Sequence, residues 1–313
     1  MSVEVKGIIL VILGTSLFAI QDSLIKLIIN QVSLTLILFV RASLGSFLII
    51  CFLFFTGRSL NVGSFYPKIA FLRTITYFVG FTCFYVSLSK IPLAEANSLF
   101  FLSPIIITIL SIFFLGTPIG FHRIITVIIG FFGSLLIIKP SYSDFNWYMF
   151  LPIITALTYS IGMLLAKLTS DKDSPFQQSF HIYIGSMIYS SFITILAIKG
   201  LPNFENEQLK FLYNPWVIDN IKNLIAILII AFTGTLGIFC LIFAYNIGSP
   251  QSNAPFEYLL LFYSLIAGFF VFGEVPDLLS FTGMIAIFLS GIYIIYRERR
   301  KGKSAISVQS NNK

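Results

Sequence analysis

Asp22, Lys26, Arg41 and Glu257 are charged residues that stand inside apolar stretches of this chain. An ionisable group in an apolar span is costly, so each is a candidate for function. Asp22 and Lys26 are four residues apart, which puts them on one face of a helix. Asp22 lies about 12 Å below the end of its stretch at Asn30, at ~1.5 Å per residue, and Arg41 lies about as deep counted from Ser33. A short turn makes these two stretches antiparallel neighbours, so Asp22 and Arg41 are expected at one level with Lys26 above them. Two readings stay open. The cluster neutralises itself and fixes helix packing, or it binds a zwitterion or exchanges a proton. Glu257 lies about 7–8 Å from the nearer end of the stretch 252–272. One turn away on its own helix stand Asn253 and Leu261. It attracts a cationic solute or exchanges a proton, or it caps a first turn broken at Pro255.

Aromatic residues are abundant: 35 Phe, 14 Tyr and 2 Trp. Tyr77, Tyr85, Tyr159, Tyr245 and Tyr258 offer hydroxyls and ring faces to a solute, since binding pockets combine apolar walls with a few polar groups. An aromatic wall beside an acid suits a sulfonium or an amine. Packing and an interfacial belt are the competing roles. Asn97, Gln21, Ser98 and Asn253 are further polar candidates, but spans apolar all round do not reveal which face is which. Pro104 and Pro255 mark expected helix kinks, whose freed backbone groups can line a cavity only when shielded from lipid. Glu95 is expected to be solvated at the end of its stretch, Glu274 and Asp277 to be turn residues, and Lys167 to snorkel to the interface. His122 and His181 have no second ligand at metal spacing. Cys51, Cys83 and Cys240 lie in apolar runs and read as small core thiols.

The elements that position these residues follow from composition. The chain of 313 residues is 57% hydrophobic and 11% charged, against about 25% charged in a soluble domain. With a mean hydropathy of +0.93, it is an integral membrane protein. The net charge of +7 belongs to cytoplasmic loops rather than to a nucleic-acid partner. Ten apolar segments occur, at 7–29, 34–55, 69–89, 94–115, 124–138, 148–168, 179–198, 224–246, 252–272 and 279–296. Most reach the ~20 residues that a membrane helix needs. No period-two alternation supports a barrel, so the expected class is all-α. With the N-terminus inside, thirteen of the 20 Lys and Arg fall inside and five outside, while Lys26 and Arg41 lie within spans. Both termini are therefore expected in the cytoplasm. The tail after Tyr296 is basic, then polar, and is expected to be disordered.

An internal repeat is visible. Residues 94–140 run span, Gly116, Pro118, span, Lys139-Pro140, and residues 252–298 run span, Gly273, Pro276, span, Arg297-Glu298. Residues 1–140 and 141–298 would each hold five spans, followed by the tail 299–313. An odd number of spans inverts the second half, giving the two-repeat plan of secondary transporters.

The chain resembles the drug/metabolite transporter superfamily, with EamA-type halves. The resemblance rests on Ala254-Pro255-Phe256-Glu257-Tyr258, Phe272-Gly273-Glu274, Pro276-Asp277, and Ser290-Gly291-x-Tyr293 with Arg297-Glu298. The first half adds Pro92-Leu93-Ala94-Glu95-Ala96, Ser103-Pro104, Leu115-Gly116, Gly130-x-x-Gly133, Ala19-x-x-Asp22-x-x-x-Lys26 and Arg41. One departure is Thr117 after Gly116, where the family commonly has Glu. The resemblance implies a carrier of a small organic solute in the bacterial inner membrane, working by alternating access. It is similar to the branch containing S-adenosylmethionine uptake carriers, with amino-acid-, nucleoside- and vitamin-like solutes as the wider class. No P-loop is present, so any coupling is to protons, ions or a counter-solute. The expected partners are the solute and the lipid bilayer, with no cofactor and no metal. Two other classes remain: an intramembrane lipid-modifying enzyme, and a non-transporting sensor or assembly subunit. The enzyme would need a nucleophile or paired acid and base at one depth. The Asp22, Lys26 and Arg41 cluster lacks a nucleophile.

Overall fold

The structure is a computed structural model, and it describes residues 3–59, 62–103, 105–107, 109–110, 121–139, 146–169, 171–198, 216–218, 220–247 and 256–310. These residues form ten α-helices: α1 (Val3–Ile28), α2 (Leu34–Phe55), α3 (Pro67–Leu88), α4 (Leu93–Phe100), α5 (Phe121–Ile138), α6 (Phe150–Leu168), α7 (Pro175–Ile198), α8 (Ile221–Ile247), α9 (Leu259–Phe272) and α10 (Leu278–Ser310). A 3-10 turn, Trp147–Met149, leads into α6. Six of the helices (α1, α2, α3, α6, α7, α8) are long and apolar enough by themselves to cross a membrane. The apolar parts of the other four are shorter. An even number of helices puts the start of α1 and the end of α10 at one end of the bundle, called here the terminal end; the other is the distal end. The protein is a multi-pass membrane protein. Large apolar side chains such as Phe54, Phe55 and Phe270 stay exposed on the bundle surface, as lipid-facing residues must.

Local chemistry sets where helices start and stop. Pro67 opens α3 and Pro175 opens α7, where the missing N–H costs nothing. Before α7, Ser174 and Gln177 exchange backbone-to-side-chain hydrogen bonds of 2.7 and 3.3 Å, a capping box. Asp277 caps α10 by accepting the Ser280 N–H at 2.9 Å. Gly273 ends α9 at φ 66, a left-handed conformation that glycine tolerates without strain.

The helices pack in a pattern with its own symmetry. The main partners are α1 with α8 and α3 with α6, α2 with α8 and α3 with α7, and α1 with α9 and α4 with α6. To these are added α2 with α7, α4 with α9 and α5 with α10. Moving every label on by five converts each pair into another member of this set or into itself. At two crossings glycine lets one backbone approach another closely. A Cβ on Gly283 would stand 2.5 Å from the Gly133 carbonyl oxygen, where α10 crosses α5. A Cβ on Gly14 would stand 3.1 Å from the Gly237 carbonyl oxygen, where α1 crosses α8. Lipid tails are as apolar as these helices, so close backbone approach replaces hydrophobic burial as the source of association.

Candidate functional site

The α1–α2 hairpin brings Asp22 and Arg41 to one level, as the spacing predicts. Both are buried, with 5% and 2% of their surface exposed. They meet through intermediaries. Gln21 Nε2 donates to Asp22 Oδ1 at 3.2 Å and to the Tyr85 hydroxyl at 3.1 Å. Arg41 Nη1 donates to the same hydroxyl at 3.0 Å. With Asp22 ionised, and so only accepting, Gln21 turns its NH2 toward it. Its Oε1 then points away, and this atom and Arg41 Nε and Nη2 are buried without a hydrogen-bond partner among the described residues. The Arg41 guanidinium lies over the Phe81 ring at 4.3 Å. A narrow cleft between α2, α3 and α7 reaches Arg41, with Phe81, Tyr183 and Ser186 among its lining residues.

From this cluster an unbroken circuit of rings leads onward. Phe81 stacks with Tyr85 (6.0 Å), Tyr85 meets Phe84 (6.0 Å), Phe84 meets Phe100 (6.0 Å) and Phe100 meets Tyr159 (5.2 Å). Tyr159 meets Tyr77 (6.2 Å), which returns to Phe81 (6.1 Å). Three helices, α3, α4 and α6, supply these six rings. Tyr159 also lies within electrostatic reach of the Glu257 carboxylate. Tyr258 packs on Phe101 at 4.7 Å and on Phe288 at 5.3 Å. The bare Cα of Gly291 makes room for its hydroxyl, which is buried without a partner among the described residues. Asn97 bridges α4 and α9, its Nδ2 donating to Ser264 Oγ at 2.9 Å.

Several residues stand where the sequence did not put them. Lys26 leaves Asp22 and turns to the distal end. There its Nζ lies 2.7 Å from Glu274 Oε1 and donates to the Ile91 carbonyl at 2.5 Å. Four methylenes let the ammonium reach a partner nearer the surface, where desolvation is smaller. Glu274 is therefore more than a turn residue: its Oε2 accepts the Leu93 N–H at 2.9 Å, satisfying the first turn of α4. Glu95, expected to be solvated, is 5% exposed and sits in the field of Lys139, Asp277 and Glu274. Lys139 pairs with Asp277 at 2.6 Å. The hydrogen bond from Lys139, then that from the Ser280 N–H, lowers the Asp277 pKa to about 2.

Arg73, one of the thirteen basic residues assigned to the inner side, is fully buried. Its Nη1 donates to Thr169 Oγ1 at 3.0 Å, and its Nε and Nη2 have no partner among the described residues. Pro67 as the first helical residue was the available signal, since it puts Arg73 about 9 Å inside α3. Near it the α2–α3 and α6–α7 loops are tied together at the terminal end. Asp173 accepts from Ser64 Oγ at 2.5 Å and from the Phe65 N–H at 2.8 Å, and Gln177 donates to the Gly63 carbonyl at 2.9 Å. Pro104, Pro255 and Asn253 lie outside the described residues, as do the side chains of Tyr245, His122 and Lys167. Among the described residues no group of three or more His, Cys, Asp or Glu could hold a metal.

A model of the EamA-like transporter family matches residues 5–139 and again residues 146–297. An S-adenosylmethionine uptake transporter of Rickettsia bellii is 28% identical over 84% of this chain and 84% of its own length. A riboflavin transporter of Vibrio cholerae is 27% identical over 68% of this chain and 66% of its own. A crystal structure superimposes at a TM-score of 0.63, covering 96% of this chain and 99% of that one. At 16% identity it speaks to the fold alone.

Proposed function

The chain belongs to the EamA-like transporter family, and within it we propose a secondary carrier that moves a small organic metabolite by alternating access. Its relatives are named as transporters, which supports a transporter rather than an enzyme. The observation that carries the mechanism is the buried Gln21, Asp22, Arg41 and Tyr85 cluster with its unmet hydrogen-bonding atoms. A purely structural cluster would pair those atoms, because a buried polar group without a partner is costly. A cluster that exchanges partners with a passing solute keeps them available.

The aromatic circuit extends from that cluster to Tyr159, near Glu257. Rings with a carboxylate at each end suit a solute bearing a sulfonium or an amine. An S-adenosylmethionine-like metabolite is the first candidate. Asp22 and Glu257 are the groups to balance its charge or to exchange a coupling proton. Two halves, residues 1–140 and 141–298, would rock about this region as inverted repeats. The twofold match of the family model and the five-step symmetry of the packing pairs support that plan. The Lys26–Glu274 and Lys139–Asp277 pairs would close the distal end, and the Asp173 loop contacts the terminal end. The Lys and Arg asymmetry supports cytoplasmic termini in a bacterial inner membrane.

The test is Glu257→Gln. Solute flux should fall at least tenfold while the protein reaches the membrane at normal level. Wild-type flux in this variant would remove Glu257 from the mechanism.

A further inference from the structure

We propose that the distal end is a proton-controlled gate: Glu95 holds one proton while the gate is closed and releases it to the distal side when the gate opens. This rests on the carrier reading above, which requires the distal end to open, and adds to it the ion that governs the opening.

The charges gathered at the distal end do not balance. Two ammonium groups, Lys26 and Lys139, meet three carboxyls, Glu95, Glu274 and Asp277. Lys26 lies 2.7 Å from Glu274 and Lys139 lies 2.6 Å from Asp277, which leaves Glu95 over. Its own helix, LAEANSLF, holds no basic residue. Of the elements packed on α4, the end of α5 brings Lys139, the α9–α10 turn brings Glu274, and the start of α10 brings Asp277 and Ser280. Lys26 of α1 is engaged by Glu274. Among the described residues, α3 and α6 bring no titratable group to Glu95. With 5% of its surface exposed, an ionised Glu95 would face two other carboxylates with little water to screen them. Desolvation and like charge both oppose that state, and a proton removes the conflict.

Ser280 marks where the proton sits. Its hydroxyl is fully buried and has no hydrogen-bond partner among the described residues, although it lies close enough to the carboxyls of Glu95 and Asp277 to interact with both. Asp277 is committed to Lys139 at 2.6 Å and to the Ser280 N–H at 2.9 Å. The Ser280 oxygen is therefore an unused acceptor beside the carboxyl that has no counter-charge, and a protonated Glu95 is the donor it lacks. A metal ion needs several ligands converging on one point, and among the described residues no group of three or more His, Cys, Asp or Glu does so. A proton needs one oxygen and no cavity.

Glu95 also stands at the seam that must part. Two residues before it, the Leu93 N–H is held by Glu274 Oε2 at 2.9 Å, which fastens the first turn of α4 to the α9–α10 turn. Opening separates the two, admits water to Glu95 and hydrates its charge. Closure thus takes up one proton. Acid favours the closed gate, and each pH unit shifts the closed-to-open ratio by up to about tenfold.

The test uses the full-length chain in nanodiscs, without solute, with Cys51, Cys83 and Cys240 replaced by alanine and spin labels on Trp147→Cys and Val275→Cys. Both positions are exposed. The turn of Trp147 is tied to the α3–α4 turn by Asn146 Nδ2, which donates to the Lys90 carbonyl at 3.2 Å, and Val275 lies in the α9–α10 turn, so the pair spans the seam. Distances are read by pulsed electron paramagnetic resonance from about pH 5 to about pH 9. In the labelled parent a longer distance should grow in as the pH rises, along a one-proton profile. Glu95→Gln has the size of the protonated acid and cannot ionise, so it should keep the shorter distance at every pH. Ser280→Ala removes the acceptor and should move the midpoint to lower pH. Distances in the parent that ignore pH would overturn the proposal, and so would a Glu95→Gln variant that opens at low pH or keeps the parent's profile. If Glu95→Gln fails to fold, the parent and Ser280→Ala still decide: a midpoint that stays in place or moves to higher pH in Ser280→Ala overturns the proposal. If the gate follows pH as stated but neither S-adenosylmethionine nor riboflavin crosses liposomes, the carrier reading falls and the gate stands. If either crosses while the distances ignore pH, the carrier stands and this proposal falls.

Discussion

Removing Glu274 should destabilise the distal end in a way that depends on Lys26. The two side chains are 12% and 21% exposed and their charges lie 2.7 Å apart. An exposed pair contributes ~0–1 kcal/mol, and breaking a fully buried one costs about 3–5 kcal/mol. This pair lies between those limits, so we expect a coupling of about 1–2 kcal/mol. Glu274 also accepts the Leu93 N–H that opens α4, and losing such a cap costs ~1 kcal/mol. Glu274→Gln keeps an amide oxygen for the Leu93 N–H, so it and Lys26→Met should each cost about 1–2 kcal/mol, whereas Glu274→Ala, which loses the cap as well, should cost about 2–3 kcal/mol. The double variant should cost less than the sum, by the coupling. A double-mutant cycle on unfolding in detergent measures it. A coupling below about 0.5 kcal/mol, the scatter expected of independent sites, would refute the reasoning. The same cycle bears on transport. The pair joins α1 to the α9–α10 turn, so opening the distal end must separate it. A cysteine placed at Ala94, which is buried in this state, should react faster with an impermeant thiol reagent in Glu274→Gln.

Three further outcomes follow from the geometry. Asp277 has its pKa lowered from 3.8 to about 2. Its contribution to stability is thus present above pH ~4 and is lost as the pH falls toward 2, and Asp277→Asn should flatten the stability profile across that window. Gly283→Ala sets a methyl 2.5 Å from a backbone oxygen of α5, and a helix cannot yield there cheaply. Unfolding should show a loss of about 1–3 kcal/mol, whereas an unchanged midpoint would mean that α5 and α10 do not cross so closely. Tyr85→Phe removes the hydroxyl shared by Gln21 and Arg41. Flux should fall at least tenfold with little change in melting temperature, and a large stability loss with normal flux would assign the cluster to packing instead.

Much of this architecture was legible in the residues. Ten apolar segments predict the ten helices, and Pro67, Pro175, Gly273 and Asp277 mark helix ends where turn chemistry requires them. The shared depth of Asp22 and Arg41 follows from a hairpin with a short turn. What joins them does not, because Tyr85 comes from α3, more than forty residues further along the chain, and no spacing rule reaches that far. The direction of Lys26 was hidden for a related reason. Its helical neighbour Asp22 is a local partner, while Glu274 becomes available only when α9 packs on α1. Glu95 and Arg73 were placed at interfaces by sequence position alone. Helices that are apolar all round carry no amphipathic signal to say that either side chain turns inward.

Counterflow in liposomes that hold this protein alone tests the central claim most directly. Liposomes loaded with unlabelled S-adenosylmethionine should take up the labelled compound faster than empty-loaded ones, saturably, and Arg41→Lys and Glu257→Gln should each reduce the rate at least tenfold. Uptake no faster than in protein-free liposomes, with the chain folded and correctly inserted, would contradict the carrier account for this solute class. If binding to the same protein were nevertheless measured, the chain would be a receptor rather than a carrier.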